Sequence, residues 1–96
     1  MFESDKNILK LVELLKLQKR ILTTKEFSDS IGMLNSTISR VPQGKCHFTA
    51  EQILLICKKY NVNANFIFGF DEVVFRDKSN KKLSDYTFNF KDLTTI

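Results

Sequence analysis

The 96 residues, at 11.2 kDa, suffice for one domain and fall short of two. Apolar residues make up 43% and charged residues 27%, a balance that excludes a disordered or fibrous chain. Lys and Arg number 15 against 11 Asp and Glu, a net charge of +4 that permits a nucleic-acid partner without requiring one.

From Asp5 to about Gln18, Ile8, Leu11, Val12 and Leu15 recur at helical spacing, with Leu9, Leu14 and Leu17 widening the stripe. Ser4 or Asp5 is the expected cap. Thr23-Thr24-Lys25-Glu26 then has the form of a capping box, in which the hydroxyl bonds an amide three residues on and the carboxylate reaches back. Phe27 and Ile31 share one face of the helix it opens, and Gly32 closes that helix. At about eight residues this helix is too short to stand without packing.

Met33-Leu34-Asn35 reads as a turn, and a second short helix fits residues 35–41. Ile38 and Val41 point inward there, while Ser36, Thr37, Ser39 and Arg40 form an outward polar row. Pro42 disfavours helical geometry at Val41, and Gln43-Gly44-Lys45 is a turn. Cys46 and His47 follow; zinc wants four ligands in paired clusters, so they are expected to be ordinary loop and Cys57 a core thiol. No metal and no cofactor is expected.

Thr49 and Gln52 form a second capping box, opening a helix with Ala50, Ile53, Leu54, Cys57 and Tyr60 at core spacing. Asn61-Val62-Asn63 breaks it. Asn63 caps a last helix, Ala64 to Phe68, closed by Gly69. The apolar run Ile53-Leu54-Leu55-Ile56-Cys57 is far short of the roughly 20 residues that span a bilayer. The polar, acidic start Phe2-Glu3-Ser4-Asp5 lacks a secretory pattern. A cytoplasmic protein with no membrane partner is the expectation.

Charge marks a boundary near Gly69 and Phe70. Residues 1–70 hold 10 basic and 6 acidic side chains, whereas residues 71–96 hold 5 of each. In the second segment Val73–Arg76 and Tyr86–Phe90 read as strands of a hairpin across a polar turn. An isolated hairpin is marginal in water and needs a surface. The first 70 residues offer no evident apolar surface for pairing two copies, so the tail is the expected dimer contact.

Two short helices joined through a glycine turn, the second bearing small polar residues and an Arg, outline a helix-turn-helix. The stretch from Thr23 to Arg40 resembles the helix-turn-helix of the lambda-repressor-like, Cro/cI (XRE) family. The likeness runs on through Gly44-Lys45, the helix Ala50–Tyr60 and the ending Val62-Asn63-Ala64-Asn65-Phe66-Ile67-Phe68-Gly69.

The resemblance implies an all-α, five-helix DNA-binding domain over residues 1–70, with residues 71–96 as a short β-like extension. It implies a transcriptional regulator, expected to be a repressor, that binds a double-stranded operator as a homodimer. Thr24 stands where the family often has a Gln on phosphate. Asn35, Ser36 and Arg40, with Thr37 beside them, stand where it reads bases. Gln43 and Lys45 stand in the loop that meets the backbone. Leu34 replaces the usual Ser or Thr cap of the reading helix, which makes Asn35 the alternative cap, and Pro42 is unusual at that helix's end.

No catalytic site is expected, since one His, no glycine-rich phosphate loop and no nucleophile beside a base leave little for chemistry. The alternative of another class is an antitoxin or protein-interaction module whose tail binds a partner protein.

Overall fold

A computed structural model of the chain describes residues 1–86. Helix α1 (Glu3–Leu17) places Ile8, Leu11, Val12, Leu14 and Leu15 in the core. It begins earlier than the apolar pattern suggests. Neither Ser4 nor Asp5 is the cap; Asp5 is already inside the first turn, and its carboxylate accepts the Phe2 amide at 3.3 Å. Leu17 lies outside the core, half exposed. The helix ends in a Schellman arrangement: Lys19 takes a left-handed conformation (φ 59°), and the Arg20 amide bonds the Leu15 carbonyl at 3.0 Å.

Helix α2 (Thr24–Ser30) starts as its sequence dictates, with the Thr23 hydroxyl accepting the Glu26 amide at 3.1 Å. Glu26 reaches one residue further back than a capping box requires and accepts the Leu22 amide at 2.8 Å. Gly32 adopts φ +69°, and the Met33 amide returns to Ser28 at 2.9 Å. The left-handed turn is what lets the chain reverse into helix α3 (Asn35–Ile38).

Helix α4 (Ala50–Tyr60) has the expected bounds and both halves of its capping box, Thr49 N to Gln52 Oε1 at 2.9 Å and Gln52 N to the Thr49 hydroxyl at 3.2 Å. Its buried stripe is Ile53, Ile56, Cys57 and Tyr60. Ala50 and Leu54, both read as core from spacing, are exposed; Ile56 takes the inner position instead. Helix α5 (Ala64–Ile67) ends one residue before the expected Phe68. It is capped by Asn63, whose Oδ1 accepts the Asn65 amide at 3.1 Å.

Polar side chains join these helices. Asn7 of α1, buried, donates to the carbonyls of Phe66 and Ile67 at 3.2 and 3.0 Å, satisfying the end of α5. Arg20 donates to the Tyr60 carbonyl at 2.9 Å at the end of α4. Asp5, fully buried, accepts the Phe48 amide at 3.0 Å and meets His47 Nδ1 at 2.6 Å, while the His47 ring stacks on Phe2. No buried side-chain polar atom among the described residues lacks a partner.

The first part of the tail belongs to the same core. Val74 and Phe75 are buried within it, beside Ile8, Val62 and Ile67 in one continuous cluster. Residues 72–76 run between two other segments. On one side Asn63 N bonds the Val74 carbonyl at 2.8 Å and Arg76 N bonds Asn61 at 2.9 Å; on the other Val74 N bonds Lys81 at 3.2 Å and Leu83 N bonds Glu72 at 3.2 Å. Two isolated antiparallel bridges result, Val62 with Phe75 and Val73 with Lys82. There is no extended strand among the described residues.

This differs from the expected hairpin of 73–76 with 86–90. Val73 finds its partner at Lys82, because the turn at Asp77–Asn80 is tight enough to bring the chain straight back. Lys82 is followed by one 3₁₀ turn (Leu83–Asp85), and Tyr86 packs edge-on against Phe75. The second expected strand, beyond Tyr86, lies outside the described residues.

Candidate nucleic-acid interface

Tyr60 positions the pair of helices that carries the candidate site. Its ring stacks on Phe27 of α2 with centroids 5.5 Å apart, and its hydroxyl lies 2.6 Å from that of Ser30. The Ser30 hydroxyl already donates to the Phe27 carbonyl, so Tyr60 donates to Ser30. Helix α2 is thereby pinned to α4, and α3 packs on α2. Buried Ile38 and Val41 hold the next stretch down on the core.

The helix expected to read bases is shorter than its sequence suggests. Only Asn35–Ile38 are α-helical, against the expected 35–41. Pro42 has no amide to continue the ladder and disfavours helical geometry at Val41, so the chain tightens into successive turns. Arg40 N bonds Thr37, Val41 N bonds Ile38 and Gly44 N bonds Val41, at 3.0, 3.2 and 2.9 Å. Arg40 therefore sits on the turn that prolongs α3, two residues past its end.

Each candidate side chain can be placed. Asn35 and Ser36, at the start of α3, are exposed, as are Arg40, Gln43 and Lys45. Asn35 is the first helical residue and does not cap; Leu34 holds the cap position without a side-chain hydrogen bond. Thr37 is only half exposed, and Thr24 at the start of α2 likewise. Ser39, read as outward, is exposed, but its hydroxyl is committed to the Ser36 carbonyl at 2.8 Å. The polar groups left for a partner are the Asn35 amide, the Ser36 hydroxyl and the Arg40 guanidinium, with Gln43 and Lys45 beyond them.

Charge on this surface is modest. Between Leu22 and Phe48 the cations are Lys25, Arg40 and Lys45, and the anions Glu26 and Asp29. Lys25 pairs with Asp29 at 2.8 Å, and that hydrogen bond raises its pKa above the ordinary lysine value. Arg40 and Lys45 make no ion pair with any described residue and stand as the available cations.

Sequence reasoning missed several exposed apolar side chains, above all Leu22 and Leu34 beside the site and Phe68 and Phe70 after α5; Phe70 is 85% exposed. The first 70 residues thus do present apolar surface, contrary to expectation. Periodicity missed them because they lie in turns and caps, where it carries no information.

Among the described residues no helix is long and apolar enough to cross a membrane, and no cluster of three or more His, Cys, Asp or Glu is placed to hold a metal. Comparison of the chain with family models, with characterised proteins and with solved structures found no match.

Proposed function

We propose that the chain is a lambda-repressor-like, sequence-specific DNA-binding regulator that inserts the turn around Asn35–Arg40 into the major groove of an operator as a homodimer. The supporting observation is the α2–Gly32–α3 unit. Two short helices pack against each other across a left-handed glycine, and the second exposes Asn35, Ser36 and Arg40 above buried Ile38 and Val41.

In this reading α2 lies across the DNA backbone with Thr24 near phosphate, and the start of α3 faces base edges. Arg40 suits the O6 and N7 of guanine, and Asn35 the N6 and N7 of adenine. Lys45 and Gln43, on the turn after Pro42, meet the backbone on the far side. With so few base-reading groups one copy has little specificity, so two copies about 34 Å apart supply it. The regulator acts as a repressor by occupying its site.

The experiment is selection of bound duplexes from a random pool with the purified chain. A recovered palindrome with half-sites one helical turn apart supports the reading, and a pool without enrichment refutes it. The second reading, a module that binds a protein partner, is favoured by exposed Phe68 and Phe70. It predicts no enriched DNA and a stable complex with a protein encoded beside this chain.

A further inference from the structure

We infer that Leu34 reads the C5-methyl group of a thymine, and so sets specificity at one position of each half-site. The inference rests on the DNA-binding reading above and names a contact within it.

Three observations converge on this side chain. Leu34 is 72% exposed, whereas its neighbour Met33 is buried and supplies the core contact of the turn. Leu34 also occupies the cap position of α3, where Ser, Thr, Asp or Asn would bond a free amide and leucine cannot. Neither packing nor capping accounts for a leucine there.

The third observation is the shortage of polar readers beside it. Helix α3 is four residues long, roughly 6 Å by helical rise, and Thr37 is half buried. Ser39 spends its hydroxyl on Ser36. Asn35 and Ser36 are then the polar side chains at the start of the reading turn, and Leu34 is the apolar one next to them. In the major groove a single base-edge feature suits a leucine, the methyl group of thymine, which every other base lacks. Burying one methyl against one leucine corresponds to about a fourfold change in affinity.

The test uses the full chain and a site recovered by the selection described above. Each thymidine of that site is replaced in turn by deoxyuridine, which removes the methyl and leaves every hydrogen-bonding group. Affinity is measured for the unsubstituted protein, for Leu34→Ser and for Leu22→Ser, an equally exposed leucine before α2. One deoxyuridine per half-site is expected to weaken the unsubstituted protein and Leu22→Ser by about fourfold and to leave Leu34→Ser unchanged. Serine is a favourable cap, so Leu34→Ser is expected to fold, as its helical dichroism will report. A recovered site that is insensitive to every deoxyuridine overturns the inference while leaving the DNA-binding reading intact. So does a deoxyuridine loss that persists in Leu34→Ser. Failure to recover any site overturns both together.

Discussion

Asp5 and His47, 42 residues apart, meet at 2.6 Å, and the same buried carboxylate accepts the amides of Phe48 and Phe2. One side chain thus fastens the start of α1 to the loop that leads from the candidate interface into α4. Asp5→Ala leaves the buried Phe48 amide without a partner. A loss of about 2–3 kcal/mol in urea unfolding is expected, and an unchanged midpoint would show that the carboxylate is dispensable.

Phe75 carries the tail into the core. It is 4% exposed, with the Arg20 guanidinium 5.1 Å from its ring centre and Tyr86 edge-on at 6.2 Å. Phe75→Ala should cost about 3–5 kcal/mol. Deletion of residues 71–96, which on sequence grounds leaves a folded monomer, should instead unfold much of the helical domain. Retention of full helical dichroism and a cooperative melt in the truncated chain would contradict this.

Asn63 and Asp71 link the start of α5 to the same segment. Asn63 Nδ2 donates to Asp71 at 3.0 Å and to the Val73 carbonyl at 2.9 Å. Asp71 accepts the Val73 amide at 3.1 Å, and that bond, with the one from Asn63, holds its pKa below the ordinary aspartate range. A carboxylate with a depressed folded value contributes stability at neutral pH and loses it as pH falls through that value. The stability gap between the unsubstituted chain and Asp71→Asn should therefore be present at pH 6 and close below the ordinary carboxylate range. A gap that does not change with pH would assign Asp71 no ionic role.

Arg40 and Lys45 are both exposed and lie five residues apart, yet the proposed function assigns them different tasks. Arg40→Ala should weaken binding to a selected site by about 1–3 kcal/mol and relax one position of each half-site. Lys45→Ala should weaken binding alike on all sequences and reduce the salt slope by about one. Equal losses for Arg40→Ala on selected and random DNA would make it a backbone contact, and an unchanged slope would take Lys45 off the DNA.

Burial raises the Cys57 thiol above its ordinary pKa. Cys46, in the loop and partly accessible, should be alkylated well before it in the native protein. Equal rates would mean that Cys57 is as accessible to the reagent as Cys46 in the native protein.

Where α2, α4 and α5 begin, and where α2 turns, was readable in the chain itself, whereas the start of α1 was not. Thr49 with Gln52, Thr23 with the Glu26 amide, Asn63 with the Asn65 amide and the positive φ of Gly32 all act within four residues, so the groups that decide them are neighbours in sequence. Of the outward row Ser36, Thr37, Ser39 and Arg40, the exposure of Ser36, Ser39 and Arg40 was legible for the same reason, since the buried pair Ile38 and Val41 lies within the same few residues, whereas Thr37 is half buried. What the tertiary structure decided depends on partners far along the chain. Asn7 reads as one more polar residue of α1 until the carbonyls of Phe66 and Ile67 arrive 59 and 60 positions later. Leu54 fits the apolar period of α4 as well as Ile56 does, and only the position of the neighbouring helices leaves Leu54 outside. Val73 and Phe75 carry strand character with no indication of which backbone they join; the Asn61–Asn63 turn on one side and Lys81–Leu83 on the other settle it. Local hydrogen bonds are encoded by spacing, whereas burial and long-range pairing are chosen only when the whole chain competes for the same core.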